Sequence, residues 1–285
     1  MIIDPNKDYK VYHGSKGGIV GEINPNYSKK KREYNPADFG LAFYVGTNPS
    51  QAKGLVVEES DPVFYTFNLP LSQIDNDRIL ILTEEQWLYT VITYRAKSQQ
   101  FNETELSKQI KAIVDSYDIV IGKIADDRMN MAIRWFNGGK LTSKGLTECL
   151  KYIDYGIQFA IKSKSLCKLI QDNELEHHSL KGKEAQDTIR LMESNRRSVY
   201  KVVEQMANRY RKHGLVIGEI IEQAEKNEIS IEQIFGENAL KRINNKNGTG
   251  NDGGNGGNPE GGDTGGEVGQ SQGDDAPGSD DWEER

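Results

Sequence analysis

The stretch "VYHGSKGGIV", residues 11–20, sets a histidine between a strand-like start and a glycine-rich turn. The two residues before His13 favour extended structure, and the glycines after it allow a sharp turn and a close approach to a neighbour. The chain has only 4 histidines, and histidine is the side chain whose charge changes near neutral pH. The pattern predicts His13 at the end of a strand, facing either a ligand or, in the ordinary alternative, a structural polar partner.

Composition separates a folded part of the chain from a tail. From Asn245 onward the sequence holds 13 of the 29 glycines, and 10 acidic residues against 2 basic ones. Such a segment buries too little apolar surface to offset an ordering entropy of about 1–2 kcal/mol per residue. We therefore predict a disordered acidic tail over residues 244–285. The remaining 34 basic and 33 acidic residues nearly cancel, so the acidic pI says little about the ligand of the folded part.

The cysteines and the N-terminus indicate the compartment. Cys149 and Cys167 lie in segments with helical patterns and have neither metal-site spacing nor a disulfide framework. The N-terminus lacks a signal-peptide pattern, and no apolar run reaches the roughly 18 residues of a membrane span. We expect a soluble, cytoplasmic protein with no membrane partner. The adjacent pair His177 and His178 could hold a metal only if both side chains faced one way, so we predict no metal site there.

Strand-like apolar runs alternate irregularly with amphipathic helices, which is typical of an α+β fold. From residue 183 to residue 213 the pattern changes to one long helix with a heptad seam. We expect this seam to pack either on the globular domain or on a partner helix. A partner helix from a second copy of the chain would mean self-association through residues 183–213. Its apolar members are Ala185, Ile189, Met192, Val199, Val203, Met206 and Tyr210.

Short motifs in the N-terminal half follow one another in a characteristic order. They are His13-Gly14-Ser15, Asp38-Phe39-Gly40, Phe43-Tyr44, Thr47, Gln51-Ala52, Ala125-Asp126-Asp127-Arg128 and Gln158-Phe159. In this order they resemble bacterial members of the ADP-ribosyltransferase superfamily. More narrowly, they are similar to a bacterial family known by a domain-of-unknown-function label. The resemblance covers residues 8–170 and leaves the helices after residue 180 outside.

The resemblance implies a fold in which two small antiparallel sheets hold NAD in the cleft between them. It implies an ADP-ribosyltransferase-like domain over residues 1–175. The helical patterns after this domain predict a helical extension over residues 176–243. In this arrangement His13 binds the adenosine ribose and Tyr44 stacks on the nicotinamide. An imidazole can exchange hydrogen bonds with hydroxyls, and a tyrosine ring offers its π face to a cation. The remaining NAD contacts implied by the motifs are Gly14, Ser15 and Thr47.

The third catalytic position departs from the superfamily pattern, because Gln158 stands where a glutamate is expected. A carboxylate stabilises the positive charge that develops on the ribose, whereas an amide supplies only a dipole. Losing one such stabiliser typically costs about 2.7–4 kcal/mol. Asp126 and Asp127 could supply the missing charge at the end of a buried strand, with a helix N-cap as the equally weighted alternative. In an enzyme, Gln158→Glu is expected to preserve or raise NAD cleavage.

The resemblance implies an NAD-dependent ADP-ribosyltransferase that modifies a macromolecule, with NAD as its substrate. A bacterial toxin or phage-defence effector of this kind would have a cognate antitoxin as a partner. The alternative is a non-catalytic module that binds NAD or ADP-ribose, in which Gln158 marks lost chemistry. A third interpretation is a scaffold whose long helix and acidic tail recruit partners. The basic run over residues 29–32 slightly favours a polyanionic target, and the acidic tail slightly disfavours one.

Overall fold

The computed structural model describes residues 3–26, 37–95, 99–125, 129–153 and 156–248. Within these residues the chain forms seven strands and eleven helices, and residues 1–250 form one compact unit. The predicted α+β class is confirmed. No helix among these residues is both long enough and apolar enough to cross a membrane.

All seven strands belong to one mixed sheet in the order β4-β5-β6-β2-β1-β3-β7. The strands β4 and β5 run parallel, and every other neighbouring pair is antiparallel. In chain order the strands are β1 (Tyr9–Lys16), β2 (Phe43–Gly46), β3 (Pro62–Leu69), β4 (Ile79–Ile81), β5 (Ile119–Lys123), β6 (Ile157–Ile161) and β7 (Glu174–Ser179).

The two halves of the sheet meet at a very short junction. Tyr12 of β1 pairs with Gly46 of β2, and this is the one residue pair that joins these two strands in the described part of the chain. By contrast, β1 and β3 pair over eight residues. The expectation of two separate antiparallel sheets is therefore wrong: one sheet forms, because the Tyr12–Gly46 pair connects β4-β5-β6-β2 to β1-β3-β7.

Helices cover both faces of the sheet. The helices are α1 (Pro49–Gly54), α2 (Glu84–Arg95), α3 (Gln99–Glu103), α4 (Glu105–Asp115), α5 (Met129–Asn137), α6 (Ser143–Tyr152), α7 (Lys164–Asp172), α8 (Gly182–Arg209), α9 (Ile217–Glu225), α10 (Ile231–Phe235) and α11 (Ala239–Gly248). One face of the sheet packs on α7 through Leu166, Cys167 and Ile170, and the opposite face is covered by α2–α6 and α8–α11.

The long helix predicted over residues 183–213 is present as α8. Its seam residues Val199, Val203 and Met206 are buried in the main core by the chain itself. This part of the seam therefore packs on the globular domain and is unavailable to a second chain, whereas Ala185, Ile189 and Met192 are half-buried. Near its N-terminal end α8 meets α1, where a Cβ on Gly54 would lie 2.9 Å from the Met192 sulfur.

Two local predictions are corrected. His13 is the fifth of eight residues in β1 and does not end the strand. The boundary predicted at residue 175 falls inside the edge strand β7, whose six residues are all exposed but which pairs with β3. Residues 249–285, where most of the tail was predicted, lie outside the described residues, as does the basic run over residues 29–32.

Candidate functional site

The motifs that are separate in sequence converge where β1, β2 and β6 meet. Gly46 pairs with Tyr12 on one side and with Gln158 on the other. The first motif, the β2 motif and the glutamine motif therefore lie within three neighbouring strands. Residues directly opposite each other in a sheet share a face, so Tyr44 and Gln158 lie on one face, and His13 belongs to the other.

His13 connects the two halves of the sheet. Its Nδ1 lies 2.7 Å from the Tyr44 carbonyl oxygen, at the point where β1 and β2 separate beyond their single pair. Because a carbonyl oxygen only accepts, Nδ1 carries the proton that it donates, and in the neutral ring Nε2 is then a hydrogen-bond acceptor. The half-buried ring also packs on Phe43, with centroids 4.5 Å apart.

Tyr44 holds the turn that carries the Asp38-Phe39-Gly40 motif. Its hydroxyl donates to the Gly40 carbonyl at 2.7 Å and accepts from the Phe39 amide at 3.1 Å. Gly40 has a φ of 84° and lies against Tyr94, so a side chain at this position would be strained. Lys162 donates to the Phe39 carbonyl at 2.6 Å and completes the support of the turn.

The turn delivers Asp38 into a buried polar cluster, which we call the Asp38 cluster and define as Asp38, Arg95, Ala125 and Gln158. Asp38 Oδ1 accepts from Arg95 Nη1 at 2.6 Å, and Asp38 Oδ2 accepts from Gln158 Nε2 at 2.5 Å and from the Ala125 amide at 3.2 Å. The side chains of Arg95 and Asp38 are 13% and 9% exposed. Burying a charge is costly unless it is paired and hydrogen-bonded, and this carboxylate meets both conditions.

The members of the Asp38 cluster other than Asp38 itself lie at or next to the ends of helices and strands. Arg95 is the last residue of α2 and also donates to the Ala125 carbonyl at 2.6 Å and to Asn130 Oδ1. Ala125 follows β5, so the cluster ties the exit of that strand to the turn before β2. Gln158 Nε2 additionally donates to the Lys123 carbonyl at 3.2 Å.

Three of the predicted NAD-contacting residues have partners within the chain. A Cβ on Gly14 would lie 2.3 Å from the Ala52 carbonyl oxygen, so this glycine admits α1 to the sheet. Ser15 donates to the Gly18 carbonyl at 3.0 Å within the following turn. The Thr47 amide donates to the Ile157 carbonyl at 2.9 Å, and Thr47 Oγ1 accepts from the Ile157 amide at 3.0 Å. The geometry gives each of them a structural role, and their contact with NAD stays a prediction.

Three further groups of side chains were considered from sequence: the Asp126–Asp127 pair with Arg128, the histidine pair and the two cysteines. Asp126, Asp127 and Arg128 lie outside the described residues. His177 is bonded to Glu174 and His178 to Glu184, and the described residues contain no group of three or more ligands suited to a metal ion. Burial raises the pKa of the Cys149 and Cys167 thiols to about 12, so neither is a nucleophile near neutral pH.

Sequence reasoning did not identify Asp38 and Arg95 as site residues. Asp38 belongs to one of the motifs, but nothing in the local sequence indicates that this residue is only 7% exposed. The local sequence also does not indicate that its side chain contacts Gln158, which lies 120 positions further along the chain. Arg95 follows an apolar helix and reads as an ordinary cationic helix end. A buried carboxylate needs a paired charge, so knowing that Asp38 is buried would have pointed to a nearby cation such as Arg95.

The chain belongs to a family described as a protein of unknown function, DUF3990, which matches residues 9–171. The match begins at β1 and ends within α7, so it contains the sheet junction and the whole Asp38 cluster. Comparison with curated proteins and with solved structures gives no match.

Proposed function

We propose that the chain is an NAD-dependent ADP-ribosyltransferase-like enzyme acting on a macromolecular target. One observation carries the proposal: His13, Tyr44 and Gln158 converge where β1 and β2 separate after a single residue pair. Because backbone pairing between the halves is limited to one residue pair here, a ligand lying over the junction can contact residues of both halves. The ligand would meet His13 on one side and Tyr44 and Gln158 on the other.

The placement of His13 supports a role in binding a ribose. The Nδ1 contact with the Tyr44 carbonyl holds the imidazole at the sheet junction, and an imidazole nitrogen can accept a hydrogen bond from a ribose hydroxyl. A ribose hydroxyl donates to such an acceptor, and one such bond contributes about 0.5–1.5 kcal/mol.

A second candidate, a module that binds NAD without cleaving it, is favoured by the surroundings of Gln158. Its amide group donates to the Asp38 carboxylate, whose charge is in turn paired with Arg95. The described residues therefore present no unpaired carboxylate to a developing positive charge at this position. The two candidates differ in one measurable result, which is whether nicotinamide is released from bound NAD.

The first experiment measures NAD binding by calorimetry for the full chain, for His13→Ala and for a matched control, His213→Ala. His213 is exposed and follows α8. His13→Ala is expected to weaken NAD binding about two- to tenfold, as for the loss of one hydrogen bond. The control is expected to bind like the unmodified protein, and absence of NAD binding by the unmodified protein would overturn the proposal.

Variants of Tyr44 separate stacking from support of the turn. Tyr44→Phe removes only the hydroxyl that bonds the Asp38 turn, whereas Tyr44→Ala also removes the ring. If the ring stacks on nicotinamide, NAD binding falls further in Tyr44→Ala than in Tyr44→Phe. Nicotinamide release and ADP-ribose transfer to lysate protein or nucleic acid, followed with the unmodified protein, then distinguish the enzyme from the binding module.

A further inference from the structure

We propose that Asp38 is the positioning residue of this site, and that it turns the Gln158 amide so that Oε1 accepts a hydroxyl of the ligand ribose. The inference rests on the proposed function, because it assigns a ribose-bearing ligand to the same site. It adds a residue that the motif resemblance does not assign. It also accounts for a glutamine rather than a glutamate at position 158.

The orientation of the amide follows from its two acceptors. A carboxylate and a carbonyl oxygen can only accept, so the Gln158 atom that lies 2.5 Å from Asp38 Oδ2 and 3.2 Å from the Lys123 carbonyl is the nitrogen. Both Nε2 hydrogens are used in this way. The oxygen Oε1 is consequently directed away from both acceptors, and its lone pairs can receive a donor such as a hydroxyl.

Asp38 can hold this orientation because it is itself immobilised. Arg95 Nη1 bridges Asp38 Oδ1 and the Ala125 carbonyl, each at 2.6 Å, and the Ala125 amide donates to Oδ2. The turn that carries Asp38 is fastened by the Tyr44 hydroxyl. Asp38 thus has the fixed geometry that a site requires of the group supporting a ligand-binding side chain.

Gln158 is buried, and the backbone on its two sides is crowded to different degrees. Its paired residues in both neighbouring strands are glycines, Gly46 and Gly122. A Cβ on Gly122 would lie 2.7 Å from the Phe39 ring, so that side is filled. A Cβ on Gly46 would have its nearest contact at 3.3 Å, from Ile124. The ligand hydroxyl would approach from this less crowded side.

The test uses Asp38→Asn in the full chain, with NAD and an NAD analogue whose nicotinamide ribose lacks the 2′-hydroxyl as probes. The unmodified protein is expected to bind NAD about tenfold more tightly than the analogue, as for one well-placed hydrogen bond. In Asp38→Asn the preference is expected to fall to about twofold or less, because the introduced side-chain amide can present a donor to Gln158 and no longer specifies the orientation of its amide. Gln158→Ala should lose the preference in the same way.

Asp118→Asn is the matched control, since Asp118 also accepts from an arginine, Arg78, at 2.6 Å but lies outside the Asp38 cluster. It should keep the tenfold preference, even if its melting temperature falls. A second measurement needs no ligand and follows hydrogen exchange of the two Gln158 side-chain amide protons by NMR. We expect slow exchange in the unmodified protein and fast exchange in Asp38→Asn.

The outcomes are distinct. Equal binding of NAD and the analogue by the unmodified protein overturns the positioning role and leaves the proposed function standing. A preference retained in Asp38→Asn with slow Gln158 amide protons also overturns it. Failure of the unmodified protein to bind NAD overturns the proposed function, and the inference with it.

Discussion

At the scale of single residues, the interpretation of Gln158 depends on its neighbour Asp38. From sequence, Gln158 stands where a catalytic carboxylate is expected. In the fold its amide nitrogen lies 2.5 Å from a buried carboxylate. An amide is compatible with that neighbour because it donates, whereas a second carboxylate would place two acceptors of like charge together.

This neighbour changes what Gln158→Glu should do. Like charge raises the pKa of a carboxyl, so a glutamate at position 158 would hold its proton more tightly in the folded than in the unfolded chain. The variant is therefore least impaired below the ordinary glutamate pKa of about 4.3 and loses stability as the pH rises. We expect its melting temperature to fall further below that of the unmodified protein at pH 8 than at pH 5.

Gln205→Glu on the exposed side of α8 is the control and should show no such trend. If Gln158→Glu is as stable as the unmodified protein at pH 8, the contact with Asp38 is not made. NAD cleavage by this variant is informative only at a pH where the variant is folded.

Glu148 is a second residue with a predictable pH response. It is buried in α6 between two lysines, accepting from Lys144 at 2.8 Å and from Lys151 at 2.6 Å. These hydrogen bonds lower its pKa from 4.5 to about 2. A lowered pKa gives a stabilising contribution that is complete above pH 4.5 and is lost as the pH falls toward 2.

Glu148→Gln should accordingly lower stability against urea at pH 7, and the difference from the unmodified protein should shrink steadily below pH 4.5. Glu204→Gln, at an exposed position of α8, should cost little at any pH. A difference for Glu148→Gln that stays constant between pH 7 and pH 3 would contradict the lowered pKa.

At the scale of elements, α8 shows why a long helix lies alongside the family domain. Its C-terminal half buries Val199, Val203 and Met206 in the main core, together with residues of α5 and α6. Its N-terminal half passes α1, where Gly54 makes room for Met192. The C-terminal half of the helix is therefore part of the core of the fold, and its heptad spacing serves packing within one chain.

Val203→Asp tests this role of α8. Val203 is fully buried, and a charge there costs several kcal/mol, which corresponds to a fall in Tm of roughly 10 °C or more. Leu191→Asp is the matched control on the same helix, since Leu191 is 44% exposed. The control should change Tm by only a few degrees, and equal effects of the two variants would mean that Val203 is not in a dry core.

At the scale of the whole molecule, the family match and the structural unit have different ends. The match stops at residue 171, but β7 joins the sheet after it, and helices α9–α11 contribute Ile220, Ile231 and Ala239 to the main core. Near the end of the described chain, Arg242 stacks on Tyr117 at 3.7 Å and donates to Ser116. The segment after the match is therefore part of the folding unit.

Two truncations should separate the folding unit from the rest of the chain. A chain ending at residue 181 lacks α8–α11 and exposes a large part of the main core, so we expect it to be insoluble or unfolded by circular dichroism. A chain ending at residue 248 keeps all described elements and should melt within a few degrees of the full chain. A stable, soluble chain of residues 1–181 would contradict the assignment of one folding unit.

The sequence by itself determined the local structure of this protein. Strand-like apolar runs and amphipathic helical patterns predicted the α+β class, and the heptad seam predicted the long helix α8. The sequence pattern did not predict β7. Its residues "ELEHHS" have neither an apolar face nor strand-forming residues, and only pairing with β3 makes this segment a strand.

Tertiary structure alone decided how distant residues combine. Asp38, Arg95 and Gln158 lie far apart in the chain and meet only when the turn before β2, the end of α2 and β6 are assembled. Likewise, the spacing of the seam in α8 is the same whether it packs on a second chain or on its own domain. Local pattern encodes periodicity and propensity, whereas the choice of partner depends on which surfaces the whole chain leaves to be buried.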